Sequence, residues 1–157
     1  MLDEYSLTKA QIAWLIQVKK YAVNPNDLVS FTAKLREPLS EDIMTADFII
    51  TSGSTKLPNY VLHFYLRSLR HKEVCYTMFL RFKKSNLPLI RLDVDGFHKN
   101  PSGEIIRGRG HIHLYNPGQR KPDAIAYATD KCEFPNVDDV ADTWVRFLKH
   151  INLKEES

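Results

Sequence analysis

At 157 residues, 43% of them hydrophobic and 26% charged, the chain has the size and composition of one soluble globular domain with one core. No apolar run approaches ~20 residues, which excludes a membrane-spanning helix, and the N-terminal MLDEYSLTKAQ lacks the basic start and apolar stretch of a secretory signal, so the expected location is the cytoplasm. The formal charge of +3 excludes an acidic nucleic-acid mimic and falls short of the basic excess of a dedicated nucleic-acid binder.

In chain order, Ser6 or Thr8 caps a predicted helix reaching about Ala22, with Thr8 and Gln11 at capping-box spacing. Ile12, Leu15, Ile16, Val18 and Ala22 form its apolar stripe, and Asn24-Pro25 ends it. Leu28 to Met44 is mixed; the alternation of Phe31, Ala33 and Leu35 reads as a short strand. Strands follow at Asp47–Thr51, in the 60s from Tyr60, from Val74 to Phe82, and at Leu89–Val94, joined by polar turns. Residues 98–110, with three glycines and a proline, read as a loop. His111–Tyr115 returns as a strand, and Ala124–Ala128 is one more. Asn136 or Asp138 caps a last helix to about Ile151, with Val137, Val140, Ala141, Trp144, Leu148 and Ile151 on one face. The sum is a single α+β domain over residues 1–157: an antiparallel meander with both terminal helices on one face.

Three of the six histidines fall in FHKNPSGEIIRGRGHIHLY. On a strand, residues two apart share a face, so His111, His113 and Tyr115 point one way and Ile112 and Leu114 the other. In the preceding strand Ile90, Leu92 and Val94 read as core, which puts Asp93 and Asp95 on the polar face. Antiparallel pairing brings one of these carboxylates across from the histidine pair, and the loop carries His98 back over them. Three imidazoles and a carboxylate suit zinc, with nickel, iron or manganese as other divalent options. The expected ligands are His98, His111, His113 and Asp93, with Asp95, Cys132 or water as alternatives for the last position. Cys75 and Cys132 are the only cysteines; without a CxxC pair a cysteine-rich finger is excluded, and both are expected reduced.

Within RLDVDGFHKNPSGEIIRGRGHIHLY, the residues Arg91-Leu92-Asp93, Gly96, His98, Asn100-Pro101, Gly103-Glu104, His111, His113 and Tyr115 follow a linear motif. The segment resembles a family of small, largely uncharacterised proteins of Gram-positive bacteria, their prophages and other mobile elements. Phe97 in place of a proline and the Gly-Arg segment before the histidine pair depart from that pattern. The resemblance implies a phage context, in which small proteins without a catalytic set inhibit bacterial defences; anti-CRISPR inhibitors of Cas9 are one such group. The leading expectation is therefore a zinc-containing protein whose metal is structural and whose function is direct binding of a host defence protein such as Cas9. Tyr60, Tyr65, Phe79 and Tyr115 are the aromatics available to an interface.

Two other functions fit the same residues. A metal-dependent nuclease or hydrolase would use the histidine site with Glu104 or Asp95 as base and Arg107 and Arg109 on phosphate. It lacks an HExxH or a second metal cluster. A nucleic-acid-binding module would use the basic clusters at Arg67–Lys72, Arg81–Lys84 and Arg107–Arg109, which read first as solvated strand ends and turns, so direct nucleic-acid contact is not the expectation.

Overall fold

The β-branched and aromatic run from Ile43 onward forms a four-strand meander in the computed structural model, which describes residues 2–39, 42–68, 74–95, 98–106, 109–129 and 133–154. Two helices precede it, α1 (Lys9–Gln17) and α2 (Pro25–Leu35), with a short strand β1 (Lys20–Ala22) between them. The meander is β2 (Ile43–Thr51), β3 (Tyr60–Ser68), β4 (Val74–Phe82) and β5 (Pro88–Val94). A two-stranded hairpin of β6 (His98–Lys99) and β7 (Ile105–Ile106) follows, then β8 (Gly110–Leu114), β9 (Ala126–Ala128), α3 (Val140–His150) and β10 (Leu153–Lys154). The main sheet has eight strands in the order β10-β1-β2-β3-β4-β5-β8-β9, antiparallel except where β10 lies parallel to β1. The fold is α+β, as the sequence predicts.

Alternation decides which sheet face is covered. Leu62, Phe64, Leu66, Met78, Leu80, Ile90 and Leu92 are fully buried and join the buried residues of all three helices in one core. Phe31 of α2 and Trp144 of α3 both meet Phe64 edge-on, with centroids 5.2 and 5.5 Å apart. The Trp144 indole donates to Thr32 Oγ1 at 3.0 Å, so the two helices share a satisfied polar contact inside the core.

Three expectations about the helices differ from the structure, one of them the cap of α3, which is Asp139 rather than Asn136 or Asp138. The Thr8 capping box forms, but α1 stops at Gln17 because Lys20–Ala22 is drawn off to pair with β2 and β10. The strand expected over Phe31–Leu35 is helix α2: Pro25 opens it, and Leu28, Thr32 and Leu35 bury at helical spacing. No described helix is long and apolar enough to cross a membrane.

Lys20 is fully buried at this junction. Its ammonium donates to the carbonyls of Ile16 at 2.8 Å, Val18 at 2.9 Å and Ile151 at 2.8 Å. Its own amide goes to Asn152. One cation thus closes the C-terminal ends of α1 and α3 together, where orphan carbonyls and the negative ends of both helix dipoles converge.

Candidate metal centre

β8 pairs antiparallel with β5, with Asp93 opposite His111 and Arg91 opposite His113. The glycine that opens β8 has a packing reason: a Cβ on Gly110 would lie 2.9 Å from the Thr129 side chain and 3.0 Å from Val137. From this register His111 and His113 project together on the face away from the helices. They are nonetheless 2% and 1% exposed, because the β6–β7 hairpin and the segment before β9 close over them. His98 comes from β6, and the ring centroids stand 4.8 Å (His98–His113), 5.7 Å (His98–His111) and 5.8 Å (His111–His113) apart. One ligand-capable nitrogen from each ring lies within 4.8 Å of the others.

The hydrogen bonds fix how these rings present their nitrogens. His113 Nδ1 is 2.7 Å from the Asp123 carbonyl, which can only accept, so Nδ1 carries the proton. In the neutral ring Nε2 then has the lone pair, and it lies 3.2 Å from Asp93 Oδ2. That contact is close but badly aligned for a hydrogen bond, and Nε2 is buried without a partner. His111 repeats the arrangement: Nε2 is 3.2 Å from Asp95 Oδ1, and Nδ1 is buried and unpartnered. His98 Nε2 lies 3.3 Å from the Ala124 carbonyl. Each ring has one nitrogen held against an acceptor and another left over, the pattern by which outer-shell groups orient metal-ligating histidines. Burial, then the neighbouring His113 and His98 charges, lower the His111 pKa against the pull of Asp95 and Asp93, which favours the neutral, ligand-competent ring.

Asp93 is itself locked. Thr77 Oγ1 donates to its Oδ1, and Arg91 Nε donates to Oδ2 at 3.0 Å. Arg91 Nη1 continues to Asp123 at 2.6 Å, the residue whose carbonyl orients His113. Burial pushes the Asp93 carboxyl up, but in the metal-free protein a protonated His113, the Arg91 guanidinium and the Thr77 hydroxyl together outweigh it and hold the pKa at about 2. It is a carboxylate at neutral pH.

Three imidazoles beside a carboxylate are donor types that a divalent transition metal accepts. Tetrahedral donors ~2.1 Å from an ion sit ~3.4 Å from one another, and three imidazoles on it have centroids roughly 5 Å apart. The ring centroids at 4.8–5.8 Å and the 3.2 Å between His113 Nε2 and Asp93 Oδ2 come near these figures, while the three ring nitrogens, within 4.8 Å of one another, would draw inward on a bound ion. Of the alternative fourth ligands, Asp95 has a half-exposed side chain and lies on the far nitrogen of His111, while Cys132 lies outside the described residues.

Other expected positions separate from the centre. Arg109 donates to the Val74 carbonyl at 2.8 Å and meets Asp138 at 3.0 Å; Arg107 lies outside the described residues. Glu104 accepts from the Asn100 amide at 3.1 Å. Tyr115, expected beside the histidines, packs in the core past the end of β8, and its hydroxyl donates to the Glu4 carbonyl at 2.9 Å. Tyr60 is likewise core.

Sequence reasoning missed Asn100. Its side chain is 5% exposed and grips Ala126 of β9 twice: Nδ2 donates to the carbonyl at 2.9 Å and Oδ1 accepts from the amide at 2.7 Å. It is the means, besides the His98–Ala124 contact, by which the hairpin is tied to the sheet edge. Its place two residues after His98 was the available signal. Clefts of about 440 and 830 Å³ open elsewhere, around Leu2, Thr55, Lys56 and Leu57, and neither is lined by the histidines.

No curated protein and no solved structure matches the chain. A family model described as a family of unknown function, DUF6978, matches residues 7–153. That span runs from before α1 to the first residue of β10 and takes in the whole histidine centre, and the chain belongs to this uncharacterised family.

Proposed function

We propose that this chain is a metal-binding protein in which His98, His111, His113 and Asp93 hold one divalent transition metal, zinc first, in a structural role. The observation that carries the reading is the His113 Nε2 lone pair facing the Asp93 carboxylate beside two further imidazoles, inside the protein. Two electron-rich atoms 3.2 Å apart in a buried site repel unless a cation lies between them. A proton on His113 would serve one pair; a metal serves all four groups.

The structural role follows from connectivity. The ligands come from β5, β6 and β8, so the ion would pin a hairpin that has no backbone ladder to the main sheet among the described residues. Four protein ligands leave no open position, the mark of structural rather than catalytic zinc. The base and phosphate contact a hydrolase would draw from Glu104 and Arg109 are engaged elsewhere.

The function of the metal-stabilised fold is then binding. The sequence resemblance supplies the partner class, a bacterial defence effector such as Cas9, inhibited by direct contact. Elemental analysis of the purified protein tests the metal: about one equivalent is expected, and none would end the reading. A Cas9 cleavage assay with the protein in large excess tests the partner, and unimpaired cleavage would remove that effector.

A further inference from the structure

The helices cover only one side of the meander. On the other side, the β2–β3–β4 register lines up two cross-strand rows: Thr45, Tyr65 and Thr77, and next to it Asp47, His63 and Phe79. Tyr65 is 37% exposed. Phe79 is half-buried and stacks on His63, with centroids 4.7 Å apart at 30°. The Asp47 carboxylate is paired to His63 Nδ1 at 2.7 Å, so the one acid of these two rows is already engaged. Arg67 and Arg81 extend the same face toward the two ends of the strands, and neither forms an ion pair among the described residues. Past Arg81, at the strand ends, Lys56, Lys83 and Lys84 line the 440 Å³ cleft, three cations against the one acid there, Glu4.

We propose that this open face is a binding platform for single-stranded nucleic acid. Three flat rings grouped on central strands of an uncovered antiparallel sheet offer stacking surfaces spaced for unpaired bases. The Thr45 hydroxyl beside them can donate to or accept from base edges, while that of Thr77 is held by Asp93. The arginines at the two ends supply the cations a phosphate backbone needs, and the lysine cleft extends that charge beyond one end. Charge complementarity selects this occupant over a basic or neutral protein, and the flat sheet suits splayed bases better than a duplex groove. The surface adjoins the metal centre, since Thr77 donates to Asp93, but the inference uses none of the proposed ligands and goes beyond the protein partner proposed above.

Fluorescence anisotropy with labelled ten-nucleotide RNA and DNA single strands, and a duplex of equal length, tests it on the full chain. Single strands are expected to bind with a dissociation constant on the order of 10 µM at moderate salt. Tyr65→Ala and Phe79→Leu are each expected to weaken binding about tenfold; the leucine keeps apolar packing while removing the ring, so a folded variant is obtained. Arg67→Gln and Arg81→Gln are expected each to lower the salt slope by about one. No single-strand binding at about 100 µM, the result for a surface that takes up only protein, overturns the proposal. So does tighter binding of the duplex, or affinity untouched by both ring substitutions.

Discussion

Replacing Lys20 with methionine keeps the apolar stem and deletes the ammonium that closes two helix ends. Three buried carbonyls, of Ile16, Val18 and Ile151, then lose their donor. The amide that would reach Ile16 in a continuing helix is already bonded to Asn152. An unsatisfied buried carbonyl costs about 1–3 kcal/mol, so the gross loss is roughly 3–9 kcal/mol. Removing a buried charge returns several of these, and a net loss of about 3 kcal/mol is expected at pH 6. The pH dependence has a definite sign. Burial lowers the Lys20 pKa from 10.5 to about 7. Below pH 7 folded and unfolded chains are both protonated, and the contribution is flat. Between about 7 and 10.5 the unfolded chain holds the extra proton, so wild-type stability rises with pH, by at most about 1.4 kcal/mol per unit from this group. The methionine variant lacks this rise, and the gap between the two proteins widens toward alkaline pH. Urea unfolding of both proteins at pH 6, 8 and 9.5 measures it. A variant within about 1 kcal/mol of wild type at pH 6 would refute the carbonyl argument, and a gap that narrows with rising pH would refute the sign.

The centre and its supports give four more expectations. His111→Ala and His113→Ala should each reduce bound metal from about one equivalent to a small fraction while the far-UV spectrum persists; full retention of metal would count against the ligand set. In the metal-free protein, Asp93→Asn should remove about 2 kcal/mol at neutral pH, since its carboxyl is held at about 2 against 3.8 unfolded. That contribution is present above pH ~4 and lost as pH falls toward 2, so acid unfolding of the variant should show a flatter profile there. Gly110→Ala should cost about 1–3 kcal/mol by driving a methyl against Thr129 and Val137, read as a lowered midpoint in denaturant. Asn100→Ala should raise hydrogen exchange at Ala126 and in β6–β7 without changing exchange in β3 and β4; uniform protection would show the amide grip to be dispensable.

Period-two patterning carried most of what the sequence revealed. It placed β3, β4 and β5 and put His111 and His113 on one face, because each strand has one buried side and a slip by one residue would expose Leu62, Phe64 or Leu92. It failed at α2, where Phe31, Ala33 and Leu35 alternate by coincidence and the Leu28–Thr32–Leu35 spacing carries the burial. Strands of two or three residues, such as β1 and β10, are too short to show a period at all. In the centre, the convergence of His98, His111 and His113 was readable, but the atoms were not. Asp93 stands opposite His111 yet its carboxylate reaches His113. The carbonyls of Asp123 and Ala124 that set the ring tautomers are backbone atoms in a segment without a pattern, and no residue type announces them.

The double grip of Asn100 on Ala126 has a consequence for solubility. The amide and carbonyl it occupies point outward from β9, the last strand on that side of the sheet. Outer strands with vacant backbone groups are templates onto which another chain can add. Here a carboxamide imitates one residue of a neighbouring strand, so the rim is terminated from within the same molecule. The terminator rides on the hairpin that carries His98, so the metal binding proposed above would link ion occupancy to edge protection. A preparation stripped of metal would then lose solubility through sheet-to-sheet addition at β9, well before its core of Phe64, Trp144 and Leu92 comes apart.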